Sequence, residues 1–234
     1  MRNIFIGLII IAFIAGGAWY YSNQRGQSDA DAQDTPIQKW NVSINNWDFQ
    51  GAYTGNPELE KRANDEIARL KKLIGSGTET EYSYYISIAN QYDLLGDGEN
   101  EYVYLKKALA IDDATTGLAW ANVAVLFARL GDEKSARDAY ARAVKAQAHP
   151  QYVTAYLDFL TQHFTDDTAA IEGAYEAAVL SVGEAPQLLE IRARWLEGQG
   201  RFQEAIDAWN KLKQLSPGSS SAADLEIKQL QSRL

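Results

Sequence analysis

The chain has 234 residues, 46% of them hydrophobic, with 22 Lys and Arg against 31 Asp and Glu, a net charge of −9 and no cysteine. That is enough chain for one or two globular domains. The acidic balance argues against general binding to a phosphate backbone, so no nucleic-acid partner is expected. The missing thiols exclude disulfides, thiolate metal sites, a cysteine nucleophile and lipoprotein acylation.

The first element is apolar. No residue between Arg2 and Arg25 is charged, and Ile4 to Ala15 is almost unbroken Ile, Leu, Phe and Ala. Residues 4–21 would make a helix of roughly 27 Å, near the hydrocarbon thickness of a bilayer. Trp19, Tyr20 and Tyr21 fall where an interfacial aromatic belt would lie, and Arg2 favours a cytoplasmic N-terminus. The reading is a signal anchor, with residues 1–3 as a cytoplasmic tip; a cleaved signal peptide is the alternative, with Gly16 and Ala18 before a cut. Either one exports the rest of the chain.

Residues 22–56 read as a linker and an aromatic segment. The stretch to about Thr35 is polar and has little to bury, whereas Trp40 to Tyr53 carries Trp47 and Phe49 without helical period. Two readings stand for these aromatics: packing back on the first helices, or a surface for a partner or a glycan. Pro57 to Ile74 follows as an amphipathic helix with Ala63, Ile67, Leu70 and Leu73 on one face, which makes 57–75 an N-terminal cap.

The next signal is repetition. Gly96-Asp97 and Gly131-Asp132 lie 35 residues apart, and their surroundings match. Tyr85, Ile88, Ala89 and Tyr92 precede the first pair; Trp120, Val123, Ala124 and Phe127 precede the second. Ala136, Tyr140 and Ala143 follow as the stripe of a second helix. Gly200 carries the frame again, between Leu189, Ala193, Leu196 and Phe202, Ala205, Trp209, closing at Pro217. These residues resemble the tetratricopeptide repeat over about Tyr82 to Pro217. A further unit fits between, where Tyr175 and Ala178 keep the second helix while Asp158 and Phe159 stand in the places of an apolar and a small residue. In the first unit Glu101 takes the place of an Ala.

The resemblance implies an all-α chain: an α-solenoid of about four helix hairpins, 82–116, 117–151, 152–185 and 186–217, preceded by the transmembrane helix. Residues 218–234, with Ala223, Ile227 and Leu230, would be a C-terminal capping helix.

Chemistry has little support. His149 and His163 lack the HExxH spacing of a zinc hydrolase, and no phosphate-cradling glycine loop or Gly-x-Ser-x-Gly elbow occurs. Asp166-Asp167-Thr168 lacks the Gly and terminal Glu of a calcium loop and reads as a helix cap. No catalysis, cofactor or metal is expected. In proteins this chain resembles, partners lie along a concave face made by the first helices. By position that face takes Ile86 and Asn90, then Leu118, Ala121, Asn122, Val125 and Arg129, then Val153, Tyr156 and Leu160, and finally Arg194.

Asn90 and Asn122 match the two Asn of members that hold a C-terminal carboxylate, but Ile86, Val153 and Leu157 stand where the cations should be. The face therefore suits an apolar or amphipathic protein segment, residues 36–55 of the chain itself, or a second copy in a homo-oligomer. From Ala146 to Ile191 there is no Lys or Arg, so Asp158, Asp166, Asp167, Glu172 and Glu176 form an acidic patch that would steer a basic partner.

The expected role is a non-catalytic scaffold or assembly factor in the cell membrane, single-pass, with its repeats outside the cytoplasm. Membrane-anchored repeat proteins of this build serve envelope machineries. The alternative is an exported soluble module that binds glycan or peptidoglycan through Trp40, Trp47 and Tyr53.

Overall fold

The structure is a computed structural model that describes residues 44–234. The apolar segment 4–21 and Trp40 lie outside the described residues. Among those residues no helix is long and apolar enough to cross a membrane.

Ten α-helices follow one another among the described residues: α1 Pro57–Leu73, α2 Glu81–Leu95, α3 Gly98–Ile111, α4 Leu118–Arg129, α5 Glu133–Ala146, α6 Pro150–His163, α7 Thr168–Val182, α8 Pro186–Gly198, α9 Phe202–Leu215 and α10 Ser220–Gln231. Pairs α2–α3, α4–α5, α6–α7 and α8–α9 are hairpins; α1 packs on α2 and α10 on α9.

The Gly-Asp pairs work as a divided signal. Gly96 and Gly131 take φ of 80° and 77°, a left-handed turn that ends the first helix and that a β-carbon disfavours. Asp97 and Asp132 then cap the next helix, accepting from the amides of Asn100 at 3.0 Å and Ser135 at 3.1 Å. The third hairpin has the Asp without the Gly: Asp167 caps α7 through the Ala170 amide at 3.1 Å.

Small residues set the helix spacing. Ala89, Ala124 and Ala193 on the first helices and Ala108, Ala143 and Ala205 on the second are fully buried, which lets paired backbones approach closely. The buried apolar residues form two clusters. One runs from Ile67 to Ala143 and is rich in rings, with Tyr84, Tyr92, Tyr102, Tyr104, Trp120 and Phe127. The other spans α6 to α10 and is built largely from Leu157, Leu160, Leu188, Leu189, Leu196 and Leu212 around Trp195 and Trp209.

Helix α6 serves both. Leu157 and Leu160 belong to the second cluster, whereas Phe159 points back into the first, its ring tilted against Tyr140 at 5.1 Å. The bulky residue in the third hairpin's small place thus becomes a bolt into the previous hairpin.

Candidate functional site

The first helices of neighbouring hairpins meet side chain to side chain. Asn122 Nδ2 on α4 donates to Asn90 Oδ1 on α2 at 3.1 Å, and Arg129 forms an ion pair with Asp93. Between them Val125 is 36% exposed, with Leu118 and Ala121 half-buried beside it. This patch, an apolar strip flanked by two amides, suits an elongated polypeptide: side chains on the strip, main-chain groups on the amides.

The other expected groove residues divide. Ile86, Val153 and Leu160 are buried in the two cores, and a partner cannot touch them. Their placement on the face is corrected here, because those helices turn these positions inward rather than outward. Tyr156 is half-buried and stacked 6.4 Å from Tyr140. Arg194 lies over the Trp209 ring at 5.3 Å and reaches Glu190 at 3.0 Å and Glu226 of α10 at 3.5 Å, so it fastens the C-terminal helix. The structure brings together Asn90, Leu118, Ala121, Asn122, Val125 and Arg129, and leaves Arg194 apart with the cap.

The acidic patch is corrected in part. Glu172 lies between Arg192 and Arg201, 2.9 Å from each, and Asp167 pairs with Arg137 at 2.9 Å while capping α7. The Ala170 amide and the Arg137 guanidinium hold the Asp167 carboxyl below the usual range. Two carboxylates of a stretch without basic residues are thus paired with cations from α5, α8 and the turn before α9. Asp158, Asp166 and Glu176 remain exposed, and no ion pair holds them among the described residues.

A cleft of about 270 Å³ opens between α7, α8 and α9, lined by Tyr175, Glu184, Arg192, Asp207 and Lys211 among others. Its charges answer one another: Glu184 pairs with Lys211 at 2.7 Å and accepts from the Tyr175 hydroxyl at 3.1 Å. Among the described residues no group of three or more His, Asp and Glu is placed to hold a metal ion.

The aromatic segment before α1 packs back on the first hairpin. Residues 44–54 form a strap across the α2–α3 turn: Phe49 N donates to Gly96 O at 3.1 Å, Tyr53 N to Leu94 O at 2.8 Å and Gly98 N to Trp47 O at 3.0 Å. Trp47 stacks on Tyr102 at 5.1 Å and 23°, and Arg129 covers the Phe49 ring at 5.2 Å. The Trp47 ring, half-buried, thus has one face taken by Tyr102, in keeping with the reading in which these aromatics pack back on the first helices.

Two features of the first hairpin had no explanation in the sequence. Gly98 opens α3 where the matching helices open with Glu133, Thr168 and Phe202. A β-carbon there would lie 2.3 Å from Trp47 O, so the strap requires the glycine. Glu101 occupies a place filled by Ala136 and Ala205 elsewhere, and it is only 4% exposed. Burial pushes its carboxyl well above the usual range, with Asp93 and Asp97 adding to the effect and Arg129 opposing it.

These hairpins define a solenoid of the tetratricopeptide type. No protein-family model matches the chain, and no curated protein matches it. Among solved structures it is similar to a tetratricopeptide repeat protein from Parabacteroides merdae ATCC 43184, with a TM-score of 0.55 and 14% identity over 75% of this chain and 72% of that one. The likeness is one of fold.

Proposed function

We propose that the protein is a non-catalytic scaffold that holds a segment of another protein against the first-helix face of its first two hairpins, and that residues 4–21 keep it at the membrane with the repeats outside the cytoplasm. The observation that carries the binding reading is the Asn90–Asn122 pair beside exposed Val125, a chemically mixed strip on consecutive helices. An apolar or amphipathic segment fits it. Exposed Asp158, Asp166 and Glu176 would draw a segment that is also basic.

Photo-crosslinking tests the site in full-length protein in its own membranes, with the crosslinker at position 125 and a control at Leu180, which is 87% exposed on α7. Capture of a discrete polypeptide from 125 and not from 180 is expected. Crosslinks to the same chain alone, or equal capture at both positions, would overturn the assignment. Alkaline extraction tests the anchor: the full chain should stay with the membranes and a chain lacking residues 4–21 should be released.

A further inference from the structure

The strap lies against the face of α3 that carries Glu101, a carboxyl only 4% exposed. Gly98, Glu101 and Tyr102 lie three and four residues apart on α3, and so share one face of that helix. Gly98 touches the strap backbone and Tyr102 stacks on Trp47, which places Glu101 between them. Its Oε2 is buried without a hydrogen-bond partner. Three charged groups surround it: Asp93 from α2, Asp97 from the turn and Arg129 from α4. The strap brings Asp48, whose backbone forms an antiparallel β-bridge with that of Asp97, and Tyr140 of α5 lies in the field of the same Arg129.

One cation thus serves two inward carboxyls. Arg129 is paired with Asp93 while its guanidinium lies on Phe49 of the strap. With Glu101 neutral, the charges of Asp93 and Arg129 balance and Arg129 is free to hold Phe49. An ionised Glu101 has no donor of its own; it repels Asp93 and competes for Arg129.

We propose that Glu101 is a proton-sensitive latch: the strap of residues 44–54 stays closed over the first hairpin while this carboxyl is protonated, and ionisation opens it. The closed strap buries the carboxyl and the open one wets it, so the closed form binds the proton more tightly. Its stability is fully present below the ordinary glutamate range, about 4.3, and is lost as pH rises through the elevated value of the closed form. Opening would uncover Trp47 and Tyr102 and release Arg129 at the edge of the groove.

Hydrogen exchange of the full-length protein between pH 5 and 9, corrected for the intrinsic pH dependence of exchange, measures the latch at the amides of Phe49, Tyr53 and Gly98. Protection there should fall by up to about tenfold per pH unit until the carboxyl has ionised. Glu101→Gln should hold protection high and flat to pH 9, and Glu101→Ala, the residue of the matching places, should do the same if the first variant does not fold. The amides of α8 and α9 should show no such slope. The proposal fails if the folded variant keeps the wild-type slope, if wild-type protection is flat, or if α8 and α9 follow the strap.

Discussion

The two halves of the solenoid share a fold and are held by different forces. In the first, rings pack on rings: Tyr92 stacks on Tyr104 at 5.7 Å and Trp47 on Tyr102, Phe127 tilts against Tyr102 at 5.4 Å, and a backbone strap crosses the turn. In the second, leucines fill the core and ion pairs tie its helices and turns together at the rim: Glu172 with Arg192 and Arg201, Glu184 with Lys211, and Glu197 with Arg233. Apolar contact carries no charge for ions to screen, whereas partly exposed ion pairs weaken as ions screen them. One hairpin geometry therefore yields two halves that should answer differently to conditions.

The sharpest way to break the comparison is through Phe159, the fully enclosed member of the α6 side chains that pack on the first core. Phe159→Ala should cost about 3–5 kcal/mol and uncouple the halves, because it removes a buried ring from a seam rather than from either core alone. Denaturation followed by circular dichroism should then show two transitions in place of one. A single transition at a lower midpoint would mean that the cores are one cooperative unit.

A matched pair of glycines measures the strap. Gly96 and Gly131 have nearly the same positive φ, but a β-carbon at Gly96 would fall 2.1 Å from Phe49 O, while Gly131 faces open space. Gly131→Ala should cost about 1 kcal/mol from the backbone alone. Gly96→Ala should cost about 1–3 kcal/mol more and free residues 44–54 for proteolysis, since the strap must leave. Equal losses in the two variants would show that the strap adds nothing.

The smallest effect concerns the rim. Glu172→Gln should destabilise the second half by about 1 kcal/mol at low salt, with little change to the first half. That loss should shrink in 1 M salt, where screening has already weakened the pairs. Exchange protection in α8 and α9, compared with α2 and α3, reads it directly.

The hairpins were legible because their cause is local. The Gly96-Asp97 and Gly131-Asp132 pairs, the buried Ala positions and the apolar stripes each act within one or two helices, so spacing alone reveals them. The proposed binding face was legible only in part. Asn90, Asn122 and Val125 lie on the expected face, but Ile86, Val153 and Leu160 do not, because which side of a helix is inside depends on what lies beside it. Phe159 broke the repeat pattern in the sequence, and the pattern could not say that it fills the neighbouring core.

The sequence by itself determined the helix count, the hairpin frame and the acidic stretch, since periodicity and capping are written in consecutive residues. Only the tertiary structure decided that Glu172 meets Arg192 and Arg201, that Gly98 makes room for the strap at Trp47, far back along the chain, and that Glu101 ends buried with one shared cation. Those outcomes rest on groups far apart in the chain, whose distances and burial exist only once the helices have stacked.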